Sequence, residues 1–223
     1  MLTLALDTAN DRIAVALAGE GREVARVEIL TRGHAERLFP LIDELLAEAG
    51  TEIGRITRIA VNVGPGSFTG IRIAVAAARG LGLALGIPVV GIDALRLIAA
   101  SLDEPAGGPV LAAVDARRGE VYAALYGRNG EVLEAPFAAD ADTVLARLGD
   151  RAAVLAGSGA PLLAHQAAVS GRRVPSVDAM TGTLPLALAR LGALADPAAA
   201  PPRPLYLRAP DAKPQPPVPG LLA

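Results

Sequence analysis

Residues 2–27, LTLALDTANDRIAVALAGEGREVARV, and residues 110–135, VLAAVDARRGEVYAALYGRNGEVLEA, carry one pattern twice, 108 residues apart and without a gap. Each copy is an apolar strand ending on an aspartate, a polar turn, a second strand, a glycine-bearing turn and a third strand. Seven pairs are identical, among them Asp7/Asp115 and Gly19/Gly127, so both aspartates and both turns fall in phase. Two meanders can match by chance of β-composition, but with both aspartates and both turns in phase a duplicated unit is the favoured reading. The remainder of each half continues in parallel. An amphipathic run over 36–49 places Leu38, Leu41, Ile42, Leu45 and Leu46 on one side and Asp43, Glu44 and Glu48 on the other, with Gly50 at its end. Pro40 must then sit in the first turn or kink the helix. A strand over 56–63 enters GPGSFTG, followed by an Ala/Gly-rich helix to about Gly86 and a strand over 88–92. In the second half, 142–148 has helical periodicity, 152–155 is strand-like and enters Gly157-Ser158-Gly159, and helices are expected near 162–169 and 184–195.

Strand triplet, helix, strand, helix, given twice, predicts an α/β chain of two facing lobes, residues 1–104 and 105–196, hinged at Glu104–Pro109. From Pro197 onward nine of 27 residues are proline, so a third segment, 197–223, is expected to run extended. A core for these lobes must come from small aliphatics, since 47 residues are alanine and aromatics make up 3%. The net charge of −2 gives no electrostatic footprint for autonomous binding to nucleic acid or an anionic membrane. With no cysteine, disulfides, thiolate chemistry and cysteine-based zinc sites are excluded. The apolar stretch 71–88 is broken by Arg72, Arg79 and glycines, and Met1 leads directly into a strand, so no membrane span or leader is expected.

Several residues could carry chemistry. Asp7 and Thr8 end the first strand, and Asp115 stands at the matching place in the second lobe. Two carboxylates facing each other across a cleft suit a nucleotide and its metal-bound water. Aspartate is equally a common strand-terminating turn residue, and for Asp115, whose turn lacks a glycine two residues on, that ordinary role is favoured. Gly64, Pro65, Gly66 and Ser67 open a loop between a strand and a helix N-terminus, where free N–H groups attract anions. Alternatively the loop is only a tight connection, with Ser67 or Thr69 as the helix cap. It is neither a Walker A loop nor a Rossmann fingerprint. Gly157 and Gly159 could lie against a flat adenine, although an ordinary turn is the better default for a two-glycine motif. His34 and His165 are the only histidines, so a zinc hydrolase is disfavoured, and no G-x-S-x-G elbow supports an acyl-transfer serine. His34 is expected at the surface, ahead of the acidic helix.

LALDTA at the start, HAERLFPLI at 34–42, NVGPGSFTGIRI at 62–73, DARRGEVYAALY at 115–126 and PLYLR at 204–208 resemble the TsaB family over essentially the whole chain. The resemblance implies the ASKHA fold of acetate and sugar kinases, Hsc70 and actin, with two duplicated lobes. It implies a non-catalytic, cytoplasmic subunit of the machinery that forms N6-threonylcarbamoyladenosine in tRNAs reading codons that start with adenine. The catalytic relative, TsaD, uses a metal held by an HxxxH motif after the strand that follows the Gly-rich helix. The corresponding stretch here, Val89 to Arg96, has no histidine. Implied partners are a TsaD-type transferase, a TsaE-type ATPase in the larger complex and, in isolation, a second copy of this chain, with tRNA reached only indirectly. No cofactor is expected for the chain itself, its own nucleotide site is expected to be vestigial, and ATP or ADP is placed at most at the contact between subunits.

The expected contact surface comprises Leu38, Leu41 and Leu45 of the first helix and Ile73, Ala76, Ala77, Gly80 and Ala84 of the second. Ala76, Gly80 and Ala84 form a small-residue stripe, and this second helix is too apolar to face solvent on its far side. Two other classes stand beside this reading. One is an active phosphotransferase using Asp7 and the 64–70 loop; the other is a metallopeptidase, which the histidine count counts against.

Overall fold

A computed structural model describes residues 1–102, 108–127, 129–172, 176–178 and 185–208. The first half runs β1 (Thr3–Asp7), β2 (Arg12–Gly19), β3 (Arg22–Ile29), α1 (His34–Glu48), β4 (Arg58–Asn62), α2 (Phe68–Leu85), β5 (Val89–Ile92) and α3 (Ala94–Ala100). The second half repeats that order: β6 (Val110–Arg117), β7 (Glu120–Tyr126), β8 (Val132–Asp140), α4 (Ala141–Leu148), β9 (Val154–Ala156), α5 (Ala160–Val169), β10 (Ser176–Asp178) and α6 (Pro185–Leu194). The two five-stranded sheets have the orders β3-β2-β1-β4-β5 and β8-β7-β6-β9-β10, so the duplication in sequence is a duplication in topology. In each, the meander is antiparallel and the inner strand pairs parallel with the strand reached through a helix.

Both faces of the first sheet are covered, so every residue of β1 is buried and the strand shows no alternation. Edge strand β3 alternates half-buried and exposed residues along its length. On one face lie α1 and α2. Leu38, Leu41, Ile42, Leu45 and Leu46 of α1 join Ile71, Ala74, Val75 and Ala78 of α2 in the core over β1, β2 and β4. α2 is long and apolar enough to cross a membrane by length and composition. Its buried side, however, is part of this core. Helix α1 begins at His34, two residues earlier than expected, so Pro40 falls within its second turn, where its ring supplies no N–H to the helix. Outside, Arg37 donates to Glu28 of β3 (2.8 Å) and to Glu44 (2.7 Å), holding both carboxyls below the usual carboxylate range.

The other faces are covered by exchange. Helix α6, from the second half, lays Leu188, Ala189 and Gly192 on Ala5, Ala16, Ala60 and Val90 of the first sheet. A Cβ on Gly192 would stand 2.2 Å from that of Ala60, so only glycine permits this approach. Arg58, at the start of β4, caps α6, its guanidinium donating to the carbonyls of Gly192 (3.0 Å), Ala193 (3.2 Å) and Ala195 (2.7 Å). Reciprocally, Leu95 and Ile98 of α3 pack on Val110, Ala112, Ala124 and Tyr126 of the second sheet. After α6 the chain crosses back as a strap. Gly91 donates to Ala200 (2.9 Å), Leu205 donates to Val63 (2.8 Å), and Arg208 pairs with Glu120 on β7. The extended run expected from the prolines thus lies on the body over 201–208. Residues 209–223, Leu184 and positions 104–107 of the expected hinge lie outside the described residues.

At the α3 junction Asp93 caps the helix by accepting from the Arg96 N–H (2.8 Å), and the Tyr126 hydroxyl donates to the same oxygen (3.2 Å). Burial, then the Asp93 charge, pushes the Tyr126 hydroxyl well above an ordinary phenol. Because the folded value is raised, the group contributes stability below about pH 10, the unfolded value, and loses it as pH climbs above. Tyr126→Phe is therefore expected to cost about 1 kcal/mol at pH 7 and to flatten the alkaline limb. Urea unfolding at neutral and alkaline pH checks this; an unchanged alkaline limb would refute it.

Candidate functional site

A cleft of about 1370 Å³ opens between the β1–β2 turn, the start of α1, the β4–α2 loop and the β6–β7 and β9–α5 turns. It brings together Pro65, Gly66, Ser67, Asp115 and Gly157 of the residues singled out from the sequence, together with Asn62, His34 and Ser158. Asp7, Thr8, Gly64 and Gly159 are not part of its lining. Asp7 and Thr8 are buried beneath it: one Asp7 carboxylate oxygen accepts the Ala9 N–H (2.9 Å), and the Thr8 hydroxyl donates to the Gly70 carbonyl (2.6 Å).

The loop glycines have a packing reason. A Cβ at Gly66 would stand 2.3 Å from the Ala9 carbonyl oxygen, and one at Gly70 would stand 1.9 Å from that of Thr8. Ser67 donates its N–H to Ala9 (2.7 Å) and its Oγ accepts from Gly70 (3.2 Å), making it the N-cap of α2. This loop is therefore pressed against the β1–β2 turn, the tight connection left open by the sequence. Gly64, at φ +92°, donates to the Asn62 side-chain oxygen (2.9 Å).

Asp115 is exposed, and its carboxylate accepts the Arg117 N–H (2.7 Å), the turn-forming role of a strand-terminal aspartate. Its own N–H donates to Ser158 (3.1 Å). Gly157, at φ +96°, and Gly159 both pack on Ala113, where a Cβ on Gly157 would meet the carbonyl oxygen at 2.3 Å. His34 departs from its expected place. It is half-buried in the cleft wall, and its Nε2 is buried with no hydrogen-bond partner among the described residues. Among the described residues no three His, Asp or Glu gather closely enough to hold a metal.

The expected contact surface divides in two. Leu38, Leu41 and Leu45 are buried in the first-sheet core and cannot meet a partner, because the apolar stripe of α1 is the stripe that covers the sheet. On α2, Ala76, Gly80 and Ala84 are exposed, with Ile73 and Ala77 half-buried beside them. Leu83, which the small-residue stripe did not include, is 87% exposed on the same helix, and Phe39 is exposed on α1. An aromatic cluster was also missed. Phe68 and Tyr206 approach at 5.5 Å between ring centres, with the Arg72 guanidinium 3.7 Å over Phe68 and donating to the Tyr206 hydroxyl (2.9 Å). Only the PLYLR run hinted at it, and nothing local links residue 206 to residue 68.

The TsaD family, described as tRNA N6-adenosine threonylcarbamoyltransferase, matches residues 27–178. The tRNA threonylcarbamoyladenosine biosynthesis protein TsaB of Escherichia coli is 41% identical over 121 residues, 54% of this chain and 52% of that protein. The chain thus spans about half the length of the curated TsaB relatives it matches. A Mycobacterium tuberculosis protein of uncharacterised function is 36% identical across 95% of this chain and 93% of its own. The solved structure of YeaZ from Pseudomonas aeruginosa superposes with a TM-score of 0.75 at 32% identity, covering 92% of this chain and 99% of that one. The duplicated sheets and this likeness make the architecture the ASKHA fold expected from the resemblance.

Proposed function

Because this chain belongs to the TsaB family, we propose that it is a non-catalytic subunit in the formation of N6-threonylcarbamoyladenosine in tRNA. It supports a TsaD-type transferase that carries the chemistry. The observation that carries this reading is the uncovered face of α2, where Ala76, Gly80, Leu83 and Ala84 are exposed on a helix whose other side already covers its own sheet. Small residues there let a partner helix approach closely, and the half-buried Ile73 and Ala77 supply apolar area beside them. The β5–α3 stretch, without histidine, offers no counterpart to the transferase's metal ligands. In this reading the chain works in the cytoplasm and needs no cofactor of its own. Alone it pairs with a second copy through α2. A TsaE-type ATPase joins the larger complex, ATP or ADP is placed at most at the contact between subunits, and tRNA is met through the partner.

The test is reconstitution. Co-expression with the TsaD-type protein of the same organism should yield a heterodimer. Adding this chain to that protein, with the remaining components and tRNA, should raise modification at least about tenfold, equivalent to about 1.4 kcal/mol of barrier. Modification that is complete without this chain would sink the proposal.

A phosphotransferase using Asp7 and the 64–70 loop remains the second reading, favoured only by the shared fold. The burial of Asp7 and the packing of Gly66 and Gly70 against backbone speak against it. ATP turnover by the purified chain that vanishes in Asp7→Ala would reverse the order of the two.

A further inference from the structure

We propose that the end of β4 and the N-terminus of α2 hold a small oxyanion, the phosphate or carboxylate group of a ligand, on the Asn62 side-chain amide and the Phe68 and Thr69 N–H groups. Asn62 lines the cleft yet is 1% exposed. Its orientation follows from its neighbour: Gly64 N–H needs an acceptor and takes the side-chain oxygen at 2.9 Å, so the other end of the amide is the NH₂ group. That Nδ2 is buried and has no acceptor among the described residues. Leaving a buried donor unpaired costs about 1–3 kcal/mol, which an acceptor arriving from the cleft would recover.

The adjoining helix N-terminus supplies the matching donors. α2 is 18 residues long, and Ser67 satisfies Gly70 through its hydroxyl and Ile71 through its carbonyl. The N–H groups of Phe68 and Thr69, in the first turn, have no intrahelical partner, and the helix dipole favours negative charge beside them. Phe68 and Thr69 line the same cleft as Asn62. The donor set is neutral and small. Arg12, Arg32 and Arg117 on the cleft wall are balanced by Asp11, Glu36 and Asp115, so no net charge draws a polyanion. The glycine side of the loop is filled by the backbone of the β1–β2 turn, which leaves no cradle for a triphosphate there.

The experiment is a two-dimensional ¹H–¹⁵N NMR titration of the full chain with sodium phosphate and, separately, sodium acetate, holding ionic strength constant with sodium chloride. Saturable shifts of the Asn62 side-chain NH₂ and of the Phe68 and Thr69 amides are expected, with a dissociation constant on the order of millimolar. Whichever anion saturates identifies the ligand group as phosphate or carboxylate, and saturation by both leaves the shared oxyanion chemistry. Asn62→Asp keeps an oxygen for Gly64 and replaces the donor with a repelling oxygen, so the saturable shifts should vanish while the remaining spectrum stays folded. Phe68→Pro, at a first-turn position that tolerates proline after an extended Ser67, removes one donor and should weaken the response several-fold if Asn62→Asp fails to fold. Shifts no larger than in chloride alone, or saturable shifts that persist unchanged in the folded variants, would overturn the proposal.

Discussion

Gly80→Arg is expected to leave the fold standing and to abolish capture of a TsaD-type partner. A Cβ at Gly80 meets nothing within 4 Å, so the arginine extends into solvent without strain. Replacing a mid-helix glycine should even stabilise α2, by up to about 1 kcal/mol. The same side chain stands in the middle of the Ala76–Gly80–Ala84 stripe, where it would separate helices that need close approach and bury an unpaired charge. A loss of at least about 3 kcal/mol of binding, more than a hundredfold in Kd, is the expected size. Calorimetric titration against the TsaD-type protein measures it. Light scattering should report a monomer where the parent chain dimerises. A Gly80→Arg chain that still binds would place the interface elsewhere.

Gly70→Ala should have the opposite signature. Its Cβ would lie 1.9 Å from the Thr8 carbonyl oxygen, where the obstruction is backbone and cannot rotate aside. Moving the loop away would also break the Thr8 hydroxyl bond to the Gly70 carbonyl, 2.6 Å and buried. Overpacking plus a lost buried hydrogen bond should cost about 3 kcal/mol or more. Urea unfolding beside Gly80→Ala, a glycine in the same helix with open space around it, separates packing from helix propensity. If Gly70→Ala unfolds at the parent's urea midpoint, the packing account of this loop is mistaken.

The repeat made the topology legible, because equal spacing of Asp7 and Asp115 fixes equivalent strands and a common strand order follows from equivalent connections. The direction of α2's free face was legible too, since a helix carrying Ile71, Ala74, Val75 and Ala78 on one side cannot bury Ala76, Gly80 and Ala84 with them. What could not be read was which sheet a helix covers. Leu188 and Ala189 mark an apolar side of α6, but periodicity carries no address, and the exchange with α3 depends on Gly192 meeting Ala60 across a sequence separation no local pattern reports. Leu38, Leu41 and Leu45 went astray for a related reason. An apolar stripe suits a core and an interface equally, and only the sheet beneath α1 decides. The glycines of 64–70 leave both outcomes open in sequence, because close approach to a phosphate and close approach to a carbonyl demand the same absent side chain. Asn62 gave no sign at all, since nothing in its neighbourhood in sequence distinguishes an orphaned amide from a satisfied one.

The crossing of α3 and α6 sets the order in which this chain can mature during synthesis. The first sheet is translated within the first 92 residues, yet the helix that closes its second face ends at residue 194. A nascent chain therefore carries Ala5, Ala16, Ala60 and Val90 uncovered while the whole second half is still being made. At ordinary elongation speeds, about 5–20 residues per second, that interval lasts many seconds. During it the half-covered sheet is a site for chaperone engagement or misassociation, a vulnerability that ends only when α6 emerges and Arg58 finds its carbonyls.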